Sequence, residues 1–433
     1  MDLSIFDRME SQVRGYVRSF PVVFDRARGS LLFDEAGRQY IDFFSGAGTL
    51  NYGHNNPLLK RKLLEYLGAD GVVHGLDMAT SAKKYFLETF ERVLLKPRAW
   101  QYKLQFTGPT GTNAVEAALK LARQVKGRQN VIAFTRGFHG VSAGSLAATA
   151  NAKFRRAAGM PLGNVTFVPY DGYMGHDVDT AVYLERLLED SGSGLDRPAA
   201  VIVETVQGEG GVNVATWRWL RQIETLCRRH DMLLIIDDIQ VGCGRTGSFF
   251  SFEQAGIQPD IVTLSKSLSG FGLPMSLVLV KPEFDIWKPG AHSGTFRGNN
   301  LAFVTAAQAL DSYWTTDAFA CETRRKEDLV RNWLVNLAYA YPQAGLSVRG
   351  RGLIQGLATP ADGDDLANRI AAKAFEHGLV IETAGPYDEV LKVLPALTIE
   401  DELLERGLEI LERSTAQILG RRNKVLKFGG QRR

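Results

Sequence analysis

The residue best suited to covalent chemistry is Lys266, in the segment IVTLSKSLSG (261–270). Ile261, Val262 and Leu264 form a short apolar run that predicts a buried strand, and the lysine follows it almost at once. A lysine at the end of a buried strand costs desolvation energy unless its ammonium is paired or its amine is used chemically. Two interpretations follow: the side chain extends to water, or its amine condenses with the aldehyde of a cofactor.

A turn rich in glycine and threonine leads directly into a predicted helix in QFTGPTGTNAVEAALKLAR (105–123). Free backbone N–H groups and the positive end of the helix dipole favour an anion there. Gly111 lets the backbone approach such an anion, and Thr112 adds a hydroxyl. The alternative is ordinary N-capping by Thr110 or Thr112. A nucleotide P-loop is not predicted, because the G-x-x-x-x-G-K-[ST] pattern is absent.

Two carboxylates end another apolar strand in LLIIDDIQVGCGRTG (233–247). Because the carboxyl ends of parallel strands face the usual ligand crevice, Asp237 can keep a pyridine nitrogen protonated. One of Asp237 and Asp238 is expected only to cap the loop. The glycines from Gly242 to Gly247 spell G-x-G-x-x-G, which makes a nucleotide-binding oxidoreductase an alternative. They follow the strand too late, however, and no clear helix start comes after them.

Two further strand ends carry polar or aromatic residues. Phe138 can stack on a flat cofactor ring, and His139 can orient that ring or satisfy a backbone carbonyl. Core packing is the alternative for this pair. Glu204 and Glu209 follow the next strand, where carboxylates that bond to a turn are the alternative.

The elements that position these residues alternate between helix and strand for most of the chain. Short continuous apolar runs predict strands at 131–134, 165–170, 199–205, 233–237, 261–264 and 277–280. Helices are predicted at 114–125, 217–230, 302–313, 318–340 and from 400. Strands apolar throughout indicate an α/β fold with a mainly parallel sheet covered by helices. We predict an N-terminal segment (1–45) that packs with the small domain, a large domain (46–300), a smaller α+β domain (301–420) and a disordered basic tail (421–433).

Composition excludes several classes of protein. The 433 residues carry a net charge of only +3, which does not indicate a nucleic-acid partner. We expect no signal peptide and no membrane span. Cys227, Cys243 and Cys321 show no metal-ligand spacing, so we expect no metal site and a reducing cytoplasm.

The order of anion turn, aromatic residue, carboxylate and lysine resembles the class III, ω-type aminotransferases of the fold-type I pyridoxal phosphate enzymes. The resemblance covers about residues 20–415 and includes DFFSGAGTLNYGHNNP (42–57) and HSGTFRGNNLAF (292–303). It implies that Lys266 holds pyridoxal 5′-phosphate covalently and moves a proton, and that the protein is a homodimer or a higher oligomer with shared active sites. The cofactor residues that it implies are Gly111, Thr112, Phe138, Asp237, Gln240 and Lys266, with Thr295 reaching the partner subunit's phosphate.

Several segments, among them VRSFPVVF, PYDGY and ETAGPYDEV, resemble one group of these enzymes more closely. That resemblance implies transfer of an amino group from L-glutamate to L-aspartate 4-semialdehyde, giving L-2,4-diaminobutyrate and 2-oxoglutarate. It further implies a place in ectoine synthesis, with supply of siderophores or antibiotics as the alternative. Another ω-aminotransferase, acting on ornithine, acetylornithine or 4-aminobutyrate, is the alternative activity.

Two positions depart from the wider family. Val141 stands where an arginine often holds a distal carboxylate, and Lys392 replaces the arginine that binds an α-carboxylate. Lysine is a point charge and not a bidentate fork, so the carboxylate contacts must differ. We therefore expect substrate contacts from Glu209, Arg297 and Lys392, with an ordinary ion pair as the alternative for Arg297.

Overall fold

The computed structural model describes residues 2–175, 177–361 and 363–420, so the predicted basic tail at 421–433 lies outside the described residues. The strands are β1 Phe24–Arg28, β2 Leu31–Asp34, β3 Gln39–Asp42, β4 Lys103–Phe106, β5 Val131–Phe134, β6 Val165–Val168, β7 Ala200–Val203, β8 Val206–Gln207, β9 Asn213–Val214, β10 Leu233–Asp237, β11 Ile261–Leu264, β12 Leu277–Val280, β13 Ser347–Arg351, β14 Ile354–Ala358, β15 Leu379–Val380, β16 Glu382–Ala384 and β17 Val390–Val393.

The helices are α1 Ser4–Met9, α2 Tyr16–Ser19, α3 Ser45–Gly48, α4 Pro57–Gly68, α5 Ser81–Phe90, α6 Gly111–Lys126, α7 Ala143–Ala148, α8 Ala152–Arg155, α9 Thr180–Glu189, α10 Trp217–Arg229, α11 Asn300–Tyr313, α12 Ala318–Ala340, α13 Leu366–Glu376 and α14 Asp401–Leu419. Among the described residues, no helix is both long enough and apolar enough to cross a membrane.

The central sheet has seven strands in the order β4-β12-β11-β10-β7-β5-β6. β12 pairs antiparallel with both of its neighbours, β4 and β11. The remaining pairs, among β11, β10, β7, β5 and β6, are all parallel. Strands β5, β7, β10 and β11 are buried along their whole length, as their continuous apolar runs predict. The α/β fold with a mainly parallel sheet is confirmed.

The parallel strands end at one edge of the sheet, and the reactive residues lie there. Asp237 is the last residue of β10, and Thr263 of β11 is its direct neighbour in the register. Lys266 lies two residues beyond the end of β11, and Phe138 lies four residues beyond the end of β5. Parallel pairing therefore gathers side chains that are more than a hundred residues apart in sequence.

The glycine-rich loop from Gly242 to Gly247 does not form a nucleotide site. The loop is buried, and no α-helix begins directly after it, since the next described α-helix is α11 at Asn300. A Cβ atom at Gly242 would lie 2.6 Å from the Asp238 carbonyl oxygen, and Gly244 packs against the Trp314 ring. The glycines allow the loop to pack closely against its neighbours. The loop therefore gives no support to the alternative of a nucleotide-binding oxidoreductase.

The C-terminal part has its own sheet, β13-β14-β17-β16, packed with α12, α13 and α14 around a separate apolar core. β3 from the N-terminal segment pairs in parallel with β15, and Ile41 and Phe43 lie in that core. Through this pairing and these two side chains, the N-terminal segment packs against the C-terminal part of the chain. The predicted domain limits themselves stay predictions.

Candidate active site

A cavity of about 150 Å³ lies at the carboxyl ends of the parallel strands. Its wall contains seven of the predicted site residues: Gly111, Thr112, Phe138, Glu209, Asp237, Gln240 and Lys266. A larger surface cavity of about 610 Å³ contains none of them and is bordered by Arg136, Arg331 and Arg349. Because a reaction needs convergent chemical groups more than volume, the smaller cavity is the candidate active site.

Lys266 reaches this cavity from a backbone position that few lysines occupy. Its φ angle of 48° is left-handed, a region that costs energy for any residue with a Cβ atom. Burial lowers the pKa of its amine; nearby Lys392 acts in the same direction, and Glu209, Glu382 and Asp237 oppose it. Among the described residues, Lys266 forms no ion pair within 4.0 Å, so its amine is available for chemistry.

Two side chains hold the Asp237 carboxylate in the cavity wall. Its Oδ2 lies 2.6 Å from Nδ1 of His139, and its Oδ1 accepts a hydrogen bond of 3.0 Å from the Thr263 hydroxyl. Burial disfavours the charged His139 ring, but Asp237 outweighs burial and raises the pKa of that imidazole, with a smaller contribution from Glu204. The paired and buried carboxylate is therefore fixed in orientation.

Asp238 points away from the cavity. Its Oδ2 accepts a hydrogen bond of 3.1 Å from the Ser251 backbone N–H, and its side chain supports the buried loop. Burial raises the pKa of Asp238 to about 7. The structure thus gives the two adjacent aspartates different surroundings, with Asp237 facing the cavity and Asp238 bonding to the loop.

The predicted anion turn is the start of α6. The first N–H groups of an α-helix have no acceptor within the helix, and Gly111 and Thr112 stand at this end of α6 in the cavity wall. The Thr112 hydroxyl contacts those of Ser142 and Ser145 at 2.6 and 2.5 Å. This start of the helix offers backbone N–H groups and a cluster of hydroxyls to a phosphate.

Phe138 is positioned through its backbone. Its N–H donates a hydrogen bond of 2.9 Å to Oε2 of Glu204, and its ring meets Phe154 edge to face at 5.2 Å. Burial raises the pKa of Glu204 to about 8, a shift that the neighbouring His139 opposes. The aromatic ring therefore stands in the cavity wall on a backbone fixed by a buried acid.

Glu209 connects the cavity to the buried ammonium of Lys392. Its Oε1 accepts hydrogen bonds from Nε2 of Gln240 at 2.8 Å and from Nζ of Lys392 at 2.7 Å. Gln240 also donates to the Ala47 carbonyl oxygen at 3.1 Å. Although burial alone would raise the pKa of Glu209, Lys392 and Lys266 lower it to about 2. Glu209 is therefore an ionised group in the cavity wall.

Three predicted substrate or cofactor residues do not line this cavity. Lys392 is fully buried behind Glu209, and its Nζ lies 2.9 Å from Oε1 of Glu382 as well. Lys392 therefore pairs with two carboxylates of the protein itself, whereas the sequence predicted a direct contact with a substrate. Thr295 is exposed on the loop before α11, and Arg297 pairs with Asp77 and donates to the His292 carbonyl oxygen.

Sequence reasoning missed Thr263 and Glu382. Thr263 could not be selected, because its position beside Asp237 depends on the pairing of β10 with β11. Glu382 did leave a signal. The segment GPYDE (385–389) predicts a turn, and counting outward equally from that turn places Glu382 opposite Lys392, as the register of β16 and β17 has it.

The donor set fits pyridoxal phosphate. This cofactor needs a cradle for a phosphate, an amine for its aldehyde, a carboxylate for its pyridine nitrogen and an aromatic face for its ring. The start of α6, Lys266, Asp237 and Phe138 supply these groups around one cavity.

Comparison with known proteins gives the same class. The model of the family described as aminotransferase class-III matches residues 13–415. A diaminobutyrate–2-oxoglutarate transaminase of Bordetella parapertussis is 77% identical, with 100% of each chain covered. The transaminase of that name from Halomonas elongata is 58% identical, over 96% of this chain and 99% of the relative.

Solved structures agree on the fold. An ornithine aminotransferase from Toxoplasma gondii superposes with a TM-score of 0.83 at 26% identity, covering 96% of this chain and 94% of that one. An acetylornithine aminotransferase from Elizabethkingia anophelis gives a TM-score of 0.77 at 26% identity, covering 96% and 98%.

Proposed function

The chain belongs to the class-III aminotransferase family, and from that membership we propose that it moves an amino group from L-glutamate to L-aspartate 4-semialdehyde. The products would be L-2,4-diaminobutyrate and 2-oxoglutarate. The observation that carries this choice of substrates is the 77% identity over the whole chain to a relative named for diaminobutyrate and 2-oxoglutarate. Ectoine synthesis stays the predicted pathway.

When bound, pyridoxal phosphate supplies the electron sink and carries the amino group between the two substrates. Gly111 and Thr112 would hold its phosphate, and Asp237 would hold its pyridine nitrogen. Lys266 would retain the cofactor by its amine. The lowered pKa of Lys266 favours a neutral amine, and Nζ can then accept the proton that leaves the reacting carbon of the substrate.

The cavity must also accept the charged ends of the substrates. Val141 is 58% exposed and offers no charge to a distal carboxylate. We propose that Arg297 of the partner subunit supplies that contact, and that the partner's Thr295 reaches the phosphate. Their exposed loop and their absence from the cavity of their own chain support this arrangement. We therefore propose a homodimer or a higher oligomer built from it, with a mass in solution of at least about twice 47.8 kDa. We also propose that the protein acts in the cytoplasm.

A substrate panel tests the proposed reaction. Holoenzyme would be assayed in the reverse direction with 2-oxoglutarate and L-2,4-diaminobutyrate, L-ornithine, N-acetylornithine or 4-aminobutyrate, measuring the glutamate formed. Ornithine has one methylene more than diaminobutyrate, and one methylene changes kcat/KM by about 10- to 200-fold in a fitted pocket. We expect diaminobutyrate to lead by at least that lower factor. A higher kcat/KM with any other donor would refute the substrate assignment.

A matched pair of lysine variants tests the site. Lys266→Ala should fold, show no turnover and retain no pyridoxal phosphate after borohydride reduction and denaturation. Lys84→Ala, which removes a lysine that is exposed on α5, should behave as wild type in both measurements. Cofactor retained covalently by Lys266→Ala would show that another lysine holds it.

A further inference from the structure

A second carboxylate lies behind the cavity, where the wider family's arginine position is occupied by Lys392. Glu382 of β16 and Lys392 of β17 face each other directly in the antiparallel register. Nζ of Lys392 lies between Oε1 of Glu209 at 2.7 Å and Oε1 of Glu382 at 2.9 Å. We call Glu209, Glu382 and Lys392 the charge cluster. With both carboxylates ionised, one ammonium faces two negative charges.

The two carboxylates of the charge cluster are not equivalent. Glu209 lines the cavity and accepts a second hydrogen bond from Gln240. Glu382 is only 6% exposed, and its Oε1 has no partner in good hydrogen-bond geometry among the described residues, although Nζ of Lys392 is close. A buried carboxylate with fewer donors is the easier one to protonate. An exchangeable proton in the charge cluster therefore belongs on Glu382.

The proposed reaction requires this site to accept substrates of opposite charge. L-Glutamate and 2-oxoglutarate are net negative at neutral pH, whereas L-aspartate 4-semialdehyde is neutral overall and L-2,4-diaminobutyrate is net positive. A charge cluster with one excess negative charge attracts the diamino acid and repels a dicarboxylate. Protonation of one carboxylate makes the cluster neutral and removes that repulsion.

Resting on the proposed function, we propose that Glu382 takes up a proton from solvent when a dicarboxylate substrate enters the cavity and releases it when diaminobutyrate enters. Glu382 is thus a positioning residue that adjusts the charge behind Glu209 to the substrate. It acts through Glu209 and Lys392.

The electrostatics of the site agree with this role. Burial raises the pKa of Glu382 to about 7, and Glu209 raises it while Lys392 and Lys266 lower it. Tyr16 of α2 also faces the charge cluster, and burial together with both carboxylates raises the pKa of its hydroxyl. Helix α13 presents the Asn368 side chain to Thr383, the neighbour of Glu382 on β16.

Proton counting tests the proposal directly. Glutarate, a dicarboxylate that cannot accept or donate an amino group, would be titrated into wild-type holoenzyme by calorimetry in two buffers of different ionisation enthalpy. We expect an uptake that approaches one proton at about pH 8 and disappears at about pH 5.5, where Glu382 is already protonated before binding. Binding of glutarate at pH 8 without proton uptake would overturn the proposal.

Variants locate the proton. In Glu382→Gln the uptake should vanish, and the KM for glutamate at pH 8 should fall about tenfold relative to wild type, because only about a tenth of wild-type molecules carry the proton there. The KM values should agree at about pH 6, where both side chains are mostly neutral. The KM for diaminobutyrate should rise in the same variant.

Controls separate the possible failures. Glu382→Asp should retain proton uptake, and Glu405→Gln, on the exposed face of α14, should match wild type. Undiminished uptake in Glu382→Gln would place the proton elsewhere and overturn the proposal. If wild type bound no glutarate and used no glutamate, the proposed function would fail instead, and this inference would fail with it.

Discussion

Exchanging each of the two adjacent aspartates for asparagine is a sharp test of the site, because both variants make the same chemical change. Asp237 faces the cavity, with His139 at 2.6 Å and the Thr263 hydroxyl at 3.0 Å. Asp238 bonds to the Ser251 backbone N–H and lies outside the cavity wall. We expect Asp237→Asn to lose most of the activity and Asp238→Asn to keep it.

The expected loss of kcat in each variant depends on whether the replaced carboxylate carries a negative charge. Asparagine at 237 can still accept the Thr263 hydrogen bond, so the change removes mainly the negative charge. A hydrogen bond to a charged group contributes about 1.5–3 kcal/mol. Its loss should lower kcat by at least about ten- to a hundredfold. Asp238, with a pKa raised to about 7 by burial, is about half neutral at neutral pH. Its asparagine variant should stay within about threefold of wild type.

The assay measures kcat with glutamate, the dissociation constant of pyridoxal phosphate by fluorescence titration, and the unfolding temperature of each variant. Asp237→Asn should weaken cofactor binding and turnover without loss of folding. Equal losses in both variants, or a larger loss in Asp238→Asn, would refute the assignment of roles to the pair.

Two further outcomes are expected. Arg297→Ala should raise the KM for glutamate about 10- to 100-fold, the loss of one charged hydrogen bond, and spare L-alanine, a donor without a distal carboxylate. Asp77→Asn, which removes only the ion pair of Arg297 in its own chain, should change neither donor; equal effects of Arg297→Ala on both donors would indicate a structural residue. Because Glu204 has a pKa of about 8 when folded, well above its ordinary value, the wild type should lose stability as pH rises from about 4.5 to 8. Glu204→Gln should therefore raise the unfolding temperature at pH 8 and hardly at pH 5, and a difference that does not vary with pH would contradict the buried acid.

The sequence predicted six of the seven strands of the large sheet, all except β4, and the kinds of chemistry at their ends. Continuous apolar runs predicted β5, β7, β10 and β11, because a strand covered on both faces needs no polar alternation. The order of the motifs indicated pyridoxal phosphate and an aminotransferase, which the family match and the relatives confirm. Each of these strands and motifs consists of residues that are close together in sequence.

Only the tertiary structure decided which side chains share surroundings. Asp237 and Asp238 are indistinguishable by type, and only the packing around the end of β10 places Asp237 in the cavity wall and Asp238 against the loop. Lys392 lost its expected contact because Glu209, 183 residues away, and Glu382 both reach its ammonium inside the protein. Backbone preferences act over a few residues, whereas the partner of a buried charge is set by strand register and packing between distant segments.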